Sequence, residues 1–260
     1  MNIKSKITLV FPLLLGCGLI NSQAASAQIG TIPTQIEVGG TTDTSPFPFG
    51  TDGSEANTTN YAGEFQEIYS ASAFALPVAI TQVSFASAID PLGLGQSVPE
   101  TATYDLIIGF SNTSASVAAP STTFADNIGP NFTTVFSGTI VANLQANNVF
   151  DLNIPLMTPF VYIPGLPGQP NLLLDVFINK ATSDHQSDLF QSGDTGMASE
   201  VFYGGGTSST PVVTDQSGLR TLFTVVPAPE PSPALALLIG IGGVALACGL
   251  KAAKRKPQTA

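Results

Sequence analysis

His185 is the one imidazole in the chain and sits in Ser183-Asp-His-Gln-Ser-Asp188, so any serine triad or histidine proton shuttle has to use it. Triad members meet through the fold and not through adjacency, and no G-x-S-x-G block surrounds any serine. The plainer reading of His185, a solvated side chain in a polar loop, therefore prevails over catalysis. Paired carboxylates could cleave a glycosidic bond without histidine, and Asp105, Asp151 and Asp175 each lie within or beside apolar strand residues. Alternation turns Asp105 away from Tyr104 and Leu106, and Asp175 away from Leu174 and Val176, which makes both of them solvent-facing carboxylates. No enzyme activity and no catalytic residue are expected. Zinc has neither an H-E-x-x-H helix nor a cysteine cluster to hold it. Calcium is a more physical candidate at Asp184, Asp188 and Asp194, which share one loop but lack the D-x-D-x-D-G order and bidentate glutamate of an EF-hand.

Glycan binding would call on aromatic faces. There is no tryptophan, and Tyr61, Tyr69, Tyr104, Tyr162 and Tyr203 are scattered, each read as a core or rim residue with its hydroxyl in water. The N-x-S/T matches at Asn57, Asn112 and Asn131 read as chance sequons.

The elements that must position these groups are strands. Apolar residues recur with period two, and turn residues interrupt them about every ten positions. The clearest runs are 64–70, 79–86, 103–110, 133–142, 149–154, 160–163, 172–179, 198–203 and 221–226. Tyr104, Leu106, Ile108 and Phe110 share one face, as do Leu172, Leu174, Val176 and Ile178, and such faces pack on an opposing sheet. Asp90 to Gly95, Ile128 to Pro130, Pro164 to Gly168 and Gly204 to Gly206 read as turns. No segment of the body has an amphipathic helix pattern. The expected fold is all-β, an antiparallel β-sandwich or jelly roll over 61–226, preceded by an irregular segment or first strands over 28–60 and with a loop at 204–218.

The chain has 260 residues and a formal net charge of −10. Residues 28–226 hold 17 acidic groups against only Lys180 and Arg220, a net of −15. Such a surface repels phosphate backbones and excludes a nucleic-acid partner. Both cysteines, Cys17 and Cys248, lie outside this body, which must rely on core burial alone.

The two ends read as addresses. Lys4 and Lys6 precede an apolar run over 7–20, and Ala25-Ser-Ala27 follows as a small-x-small cleavage site, the anatomy of a secretory signal peptide over 1–27 cut by signal peptidase. A lipoprotein box ending at Cys17 is the weaker reading, because a leucine stands just before Gly16. Residues 227–260 carry a proline-rich stretch, a charge-free run over 234–250 and the basic cluster Lys251, Lys254, Arg255 and Lys256. A helix over 234–250 rises about 25 Å and can span a bilayer with local thinning, and the flanking basic groups place the body on the outer side.

Pro229-Glu230-Pro231, an apolar segment and a terminal basic cluster together resemble the PEP-CTERM sorting signal. The blocks 63–74, 124–129, 135–138 and 171–176 are similar to those of uncharacterised PEP-CTERM surface proteins of bacteria. The resemblance implies cleavage near Pro229 to Pro231 by an exosortase-type protease, a transient stay in the inner membrane, and release to the cell surface or extracellular matrix. The expectation is an exported, non-catalytic surface or matrix protein. The alternative is a glycan- or calcium-binding module of the same fold, with extracellular polysaccharide as partner.

Overall fold

A computed structural model describes residues 34–45, 48–49, 63–88, 100–145, 148–183, 190–203 and 212–229. Among them the chain is all-β. Its strands are Gln35–Val38 (β1), Asp43–Ser45 (β2), Gly63–Tyr69 (β3), Val78–Ala86 (β4), Glu100–Thr113 (β5), Thr133–Leu144 (β6) and Phe150–Tyr162 (β7). Asn171–Ser183 (β8), Phe190–Asp194 (β9), Ala198–Tyr203 (β10), Val212–Asp215 (β11), Ser217–Leu219 (β12) and Thr221–Pro227 (β13) follow. One turn of helix, Phe124–Asn127 (α1), interrupts them. Every pairing is antiparallel, in a four-stranded sheet β1-β13-β4-β7, a six-stranded sheet β11-β10-β3-β8-β5-β6 and a three-stranded sheet β12-β9-β2.

The alternation read from sequence builds the core. Tyr104, Leu106, Ile108 and Phe110 of β5 and Leu172, Leu174, Val176 and Ile178 of β8 are all fully buried on one face of the six-stranded sheet. Phe223 of β13 packs edge-on against Tyr69 of β3 with ring centroids 5.0 Å apart, and Phe160 of β7 stacks on Phe110 of β5 at 5.6 Å. The four- and six-stranded sheets thus bury apolar faces against each other in one shared core. Phe49, fully buried between Phe85, Tyr104 and Phe190, plugs that core.

Several boundaries differ from the sequence reading. Runs 149–154 and 160–163 are one strand, β7, in which residues 156–159 bulge opposite Thr81 alone, since Pro155 pairs with Gln82 and Phe160 with Ile80. Two prolines are tolerated there because β7 is an edge strand. The stretch read as a loop over 204–218 contains β11 and most of β12, while of the two readings of 28–60 the one with first strands fits, since it contains β1 and β2. These short strands carry little alternation of their own and are fixed by pairing across the chain, as Asp43–Ser45 is by Phe190–Ser192. The turn at Pro164 to Gly168 joins β7 to β8 as expected, with Gly165 and Gly168 at positive φ. Among the described residues no helix is long and apolar enough to cross a membrane. The expected signal peptide over 1–27 and membrane helix over 234–250 lie outside the described residues.

Candidate functional site

Strand β3 carries acids on both of its faces. Phe65, Glu67 and Tyr69 point into the core, and Glu64, Gln66 and Ile68 point outward. Residues 114–132, the connection from β5 to β6, fold back as a flap over part of the outer face. Gln66 anchors the flap, since its Nε2 donates to the Phe124 carbonyl at 3.1 Å and its Oε1 accepts from Asn127 Nδ2 at 3.0 Å. Thr113 Oγ1 donates to the Asn127 carbonyl at 2.6 Å, and Gly129 N–H donates to Ser111 Oγ at 3.0 Å. Gly129 must be glycine for this seating, because a Cβ there would stand 1.6 Å from the Asn112 carbonyl oxygen. Beneath the flap, Ile68, Leu173 and Ser111 are fully buried.

Where the flap ends, a ledge begins. The register sets out two rows across the sheet: Gln66, Asp175 and Gly109 at the flap's rim, then Glu64, Phe177 and Ile107 beyond it. Phe132, the last flap residue, lays its ring over Gly109, where a Cβ would fall 2.1 Å from the ring's Cζ. Phe177, Ile107 and Phe132 remain 43%, 36% and 37% exposed, so an apolar patch stays open to solvent. Beside it Glu64 and Asp175 form a coupled pair. Burial first, then the charge and hydrogen bond of Asp175, push the Glu64 carboxyl up. Burial pushes Asp175 up as well, against the pull of hydrogen bonds from Gln66 and Glu64. The shared proton therefore sits on Glu64, which donates it to Asp175. The second oxygen of Asp175, Oδ1, is buried and has no hydrogen-bond partner. Gln66 Nε2 also reaches Glu64 Oε1 at 3.3 Å and fixes the orientation of the pair.

The inner face holds a second set of acids. Glu67 and Glu200 are register partners on β3 and β10, both aimed inward, and are 0% and 3% exposed. Glu67 Oε1 accepts from the Leu219 N–H at 2.5 Å, and Glu67 Oε2 lies 2.5 Å from the Tyr69 hydroxyl. Tyr69 donates onward to Thr221 Oγ1 at 3.0 Å, and Thr221 donates to the Leu219 carbonyl at 3.1 Å. The same hydroxyl donates to Glu67 Oε2, so its one proton is shared between Glu67 and Thr221, and the sealed Glu67 carboxyl has only this hydroxyl and the Leu219 N–H to solvate its charge. Burial accordingly pushes Glu67 up to about 8, with the hydrogen bonds from Tyr69, Leu219 and Thr221 opposing. Glu200 is also raised well above the carboxylate range, by burial and then by the charges of Glu67, Asp215 and Asp43. Asp215 is its register partner on β11, and the Oε2 of Glu200 has no hydrogen-bond partner.

The residues singled out in the sequence are distributed as follows. Asp105 is exposed, as alternation placed it. Asp175 is not the solvent-facing carboxylate expected, because the flap covers its surroundings and Glu64 shares its proton. Asp151 ties three segments together, accepting from Ser87 N–H at 3.2 Å, Ser87 Oγ at 2.5 Å and Gln145 N–H at 2.7 Å. Asp184, Asp188 and His185 lie outside the described residues, as do Glu230 and Pro231, Ala25 and Ala27, and the cluster Lys251, Lys254, Arg255 and Lys256. Asp194 closes a turn by accepting from Gly196 N–H at 2.9 Å, and among the described residues no three His, Cys, Asp or Glu side chains come together in a way that could hold a metal ion. Tyr69, Tyr104 and Tyr162 are fully buried with their hydroxyls bonded inside the protein, the last two to the Phe49 and Pro170 carbonyls, so they form no platform and are not the water-facing hydroxyls expected. Tyr61 and the Tyr203 side chain are outside the description. Asn112 is buried and donates to the Ile163 and Gln169 carbonyls, which leaves that sequon no place for a sugar.

Sequence reasoning missed Glu64, Glu67 and Glu200. A signal for Glu67 was present, since it falls in phase with Phe65 and Tyr69 on an apolar stripe. No family model and no curated protein matches this chain.

Proposed function

We propose that this chain is an exported, non-catalytic protein of the cell surface or extracellular matrix, with a β-sandwich body processed by signal peptidase and an exosortase-type protease. The observation that carries the reading is the distribution of charge and apolarity: two apolar, positively flanked segments enclose a body of net charge −15 without cysteine. The two sheets facing each other across one core support the sandwich. Pro229, exposed two residues past the end of β13, supports an accessible sorting motif there. A structural role is further favoured by how the carboxylates are spent. Asp151 is a clamp, and Glu64 and Asp175 touch each other where a retaining glycosidase would keep about 5 Å between its carboxyls.

Terminal mass spectrometry of the natural protein tests this reading. A mature chain starting at Gln28 and ending near Pro229 to Pro231 is expected, with Glu230→Ala blocking the second cut. A cytosolic protein retaining Met1 and Ala260 would refute it. The ledge favours a second reading, glycan binding at the surface. Calcium at Asp184, Asp188 and Asp194 is tested by adding calcium to the full chain, which should raise its melting temperature; an unchanged temperature discards it.

A further inference from the structure

The ledge joins two features that one ligand can use together. Phe177 and Ile107 are register partners on β8 and β5, and Phe132 lies over Gly109 in the adjoining row, so the three open apolar side chains span about 5 Å across the strands and about 7 Å along them. That is the footprint of one or two pyranose rings. Glu64 lies beside Phe177 on β3, and Asp175 lies beside Gly109. Among the described residues the other charged groups on this side of the sheet are Lys180 and Asp105, which are partners of each other beyond the patch, and Asp126 on the flap, which accepts from Ser121 Oγ.

Charge selects the ligand. An anion is repelled by two carboxyls, and a bare metal ion finds no third acidic ligand among the described residues. A neutral sugar would use the rings but leave the acidic Glu64–Asp175 pair at the rim without a compensating charge. An ammonium group on an apolar-faced ring satisfies both, by charge-assisted hydrogen bonds to the pair and by attraction to the aromatic faces. We propose that the ledge binds a saccharide carrying a free amine, its ammonium held by Glu64 and Asp175 and its C–H face laid on Phe177 and Phe132. This rests on the glycan-binding reading and assigns it a site and a ligand class. The ammonium favours the ionised form of Glu64, so binding releases the shared proton to solvent.

The test is calorimetry of the full chain with a glucosamine tetramer, its N-acetylated counterpart, a glucose tetramer and tetralysine, in two buffers of different ionisation enthalpy. The glucosamine tetramer should bind with net proton release, about tenfold or more tighter than the other three. Glu64→Gln should abolish the proton release, and both it and Phe177→Leu should lose about tenfold in affinity. Asp105→Asn, outside the patch, should keep the wild-type constant, and unchanged melting temperatures would show that the variants fold. Equal binding of the N-acetylated tetramer overturns the amine assignment and leaves glycan binding standing. Equal binding of tetralysine overturns the saccharide, and wild-type affinity in Glu64→Gln overturns the ledge. Failure of all three saccharides removes the glycan reading with it.

Discussion

The two faces of β3 carry the same chemistry under different solvation. On the outer face, Glu64 and Asp175 share a proton at the rim of the flap, with exposed Phe177 and Ile107 alongside. On the inner face, Glu67 and Glu200 are sealed, and Glu67 accepts from the Tyr69 hydroxyl and the Leu219 N–H while Thr221 donates to the Leu219 carbonyl. A buried acid both of whose oxygens have internal donors, as those of Glu67 do, is a structural member. One at a rim, beside side chains that stay open to solvent, can still exchange its partner for a ligand.

The largest expected effect concerns pH. Glu67 moves from its ordinary 4.5 to about 8 in the folded protein, and Glu200 is raised as well. Between those values the folded state binds more protons than the unfolded one, so stability is fullest at acid pH and falls as pH rises through about 8. Denaturant melts from pH 5 to 8 should show a loss of several kcal/mol. Glu67→Gln should flatten part of that slope and adding Glu200→Gln a further part, the remainder coming from the raised Glu64 and Asp175 of the outer face. A wild-type stability that rises over this range would erase the distinction between the faces.

Next comes Glu67→Ala at pH 5, which strands the Leu219 N–H and removes an acceptor of the Tyr69 hydroxyl, at a cost of about 3 kcal/mol in chemical denaturation. Asp151→Ala calibrates that loss with a carboxylate held by three donors but only part-buried, and should cost about 2 kcal/mol. Smallest is Glu64→Gln, which keeps an amide donor for Asp175 on a half-open face and should change stability by under about 1 kcal/mol. If it cost as much as Glu67→Ala, the ledge would be a structural seam and not a free site.

Much of this arrangement can be read from residue order. Strict alternation in β5 and β8 marks their buried faces, and the proline and glycine blocks mark turns. The short strands of the three-stranded sheet escape such a reading. Phe190-Gln-Ser-Gly-Asp194 has one large apolar residue, and its strand character comes from Asp43–Ser45 and Ser217–Leu219 on either side. Alternation also placed Asp175 correctly on the outward face, yet it could not show that Glu64 would arrive beside it, nor that residues 114–132 would fold over that face. Both depend on pairings between segments far apart in the chain. Glu67 was concealed differently, because charge argues for solvent and only its phase with Phe65 and Tyr69 argues for the interior.

β13 lies between β1 and β4, antiparallel to both, and ends at Pro227 shortly before Pro229. Any pull transmitted from a tether beyond Pro229 acts along an interior strand, so the backbone bonds to both neighbours share the load and must slide together before the strand yields. An edge strand could be unzipped one bond at a time. On the proposed sorting route the body would be held through an interior strand bonded on both sides, a placement suited to keeping the fold intact while the adjoining segment is anchored and cut.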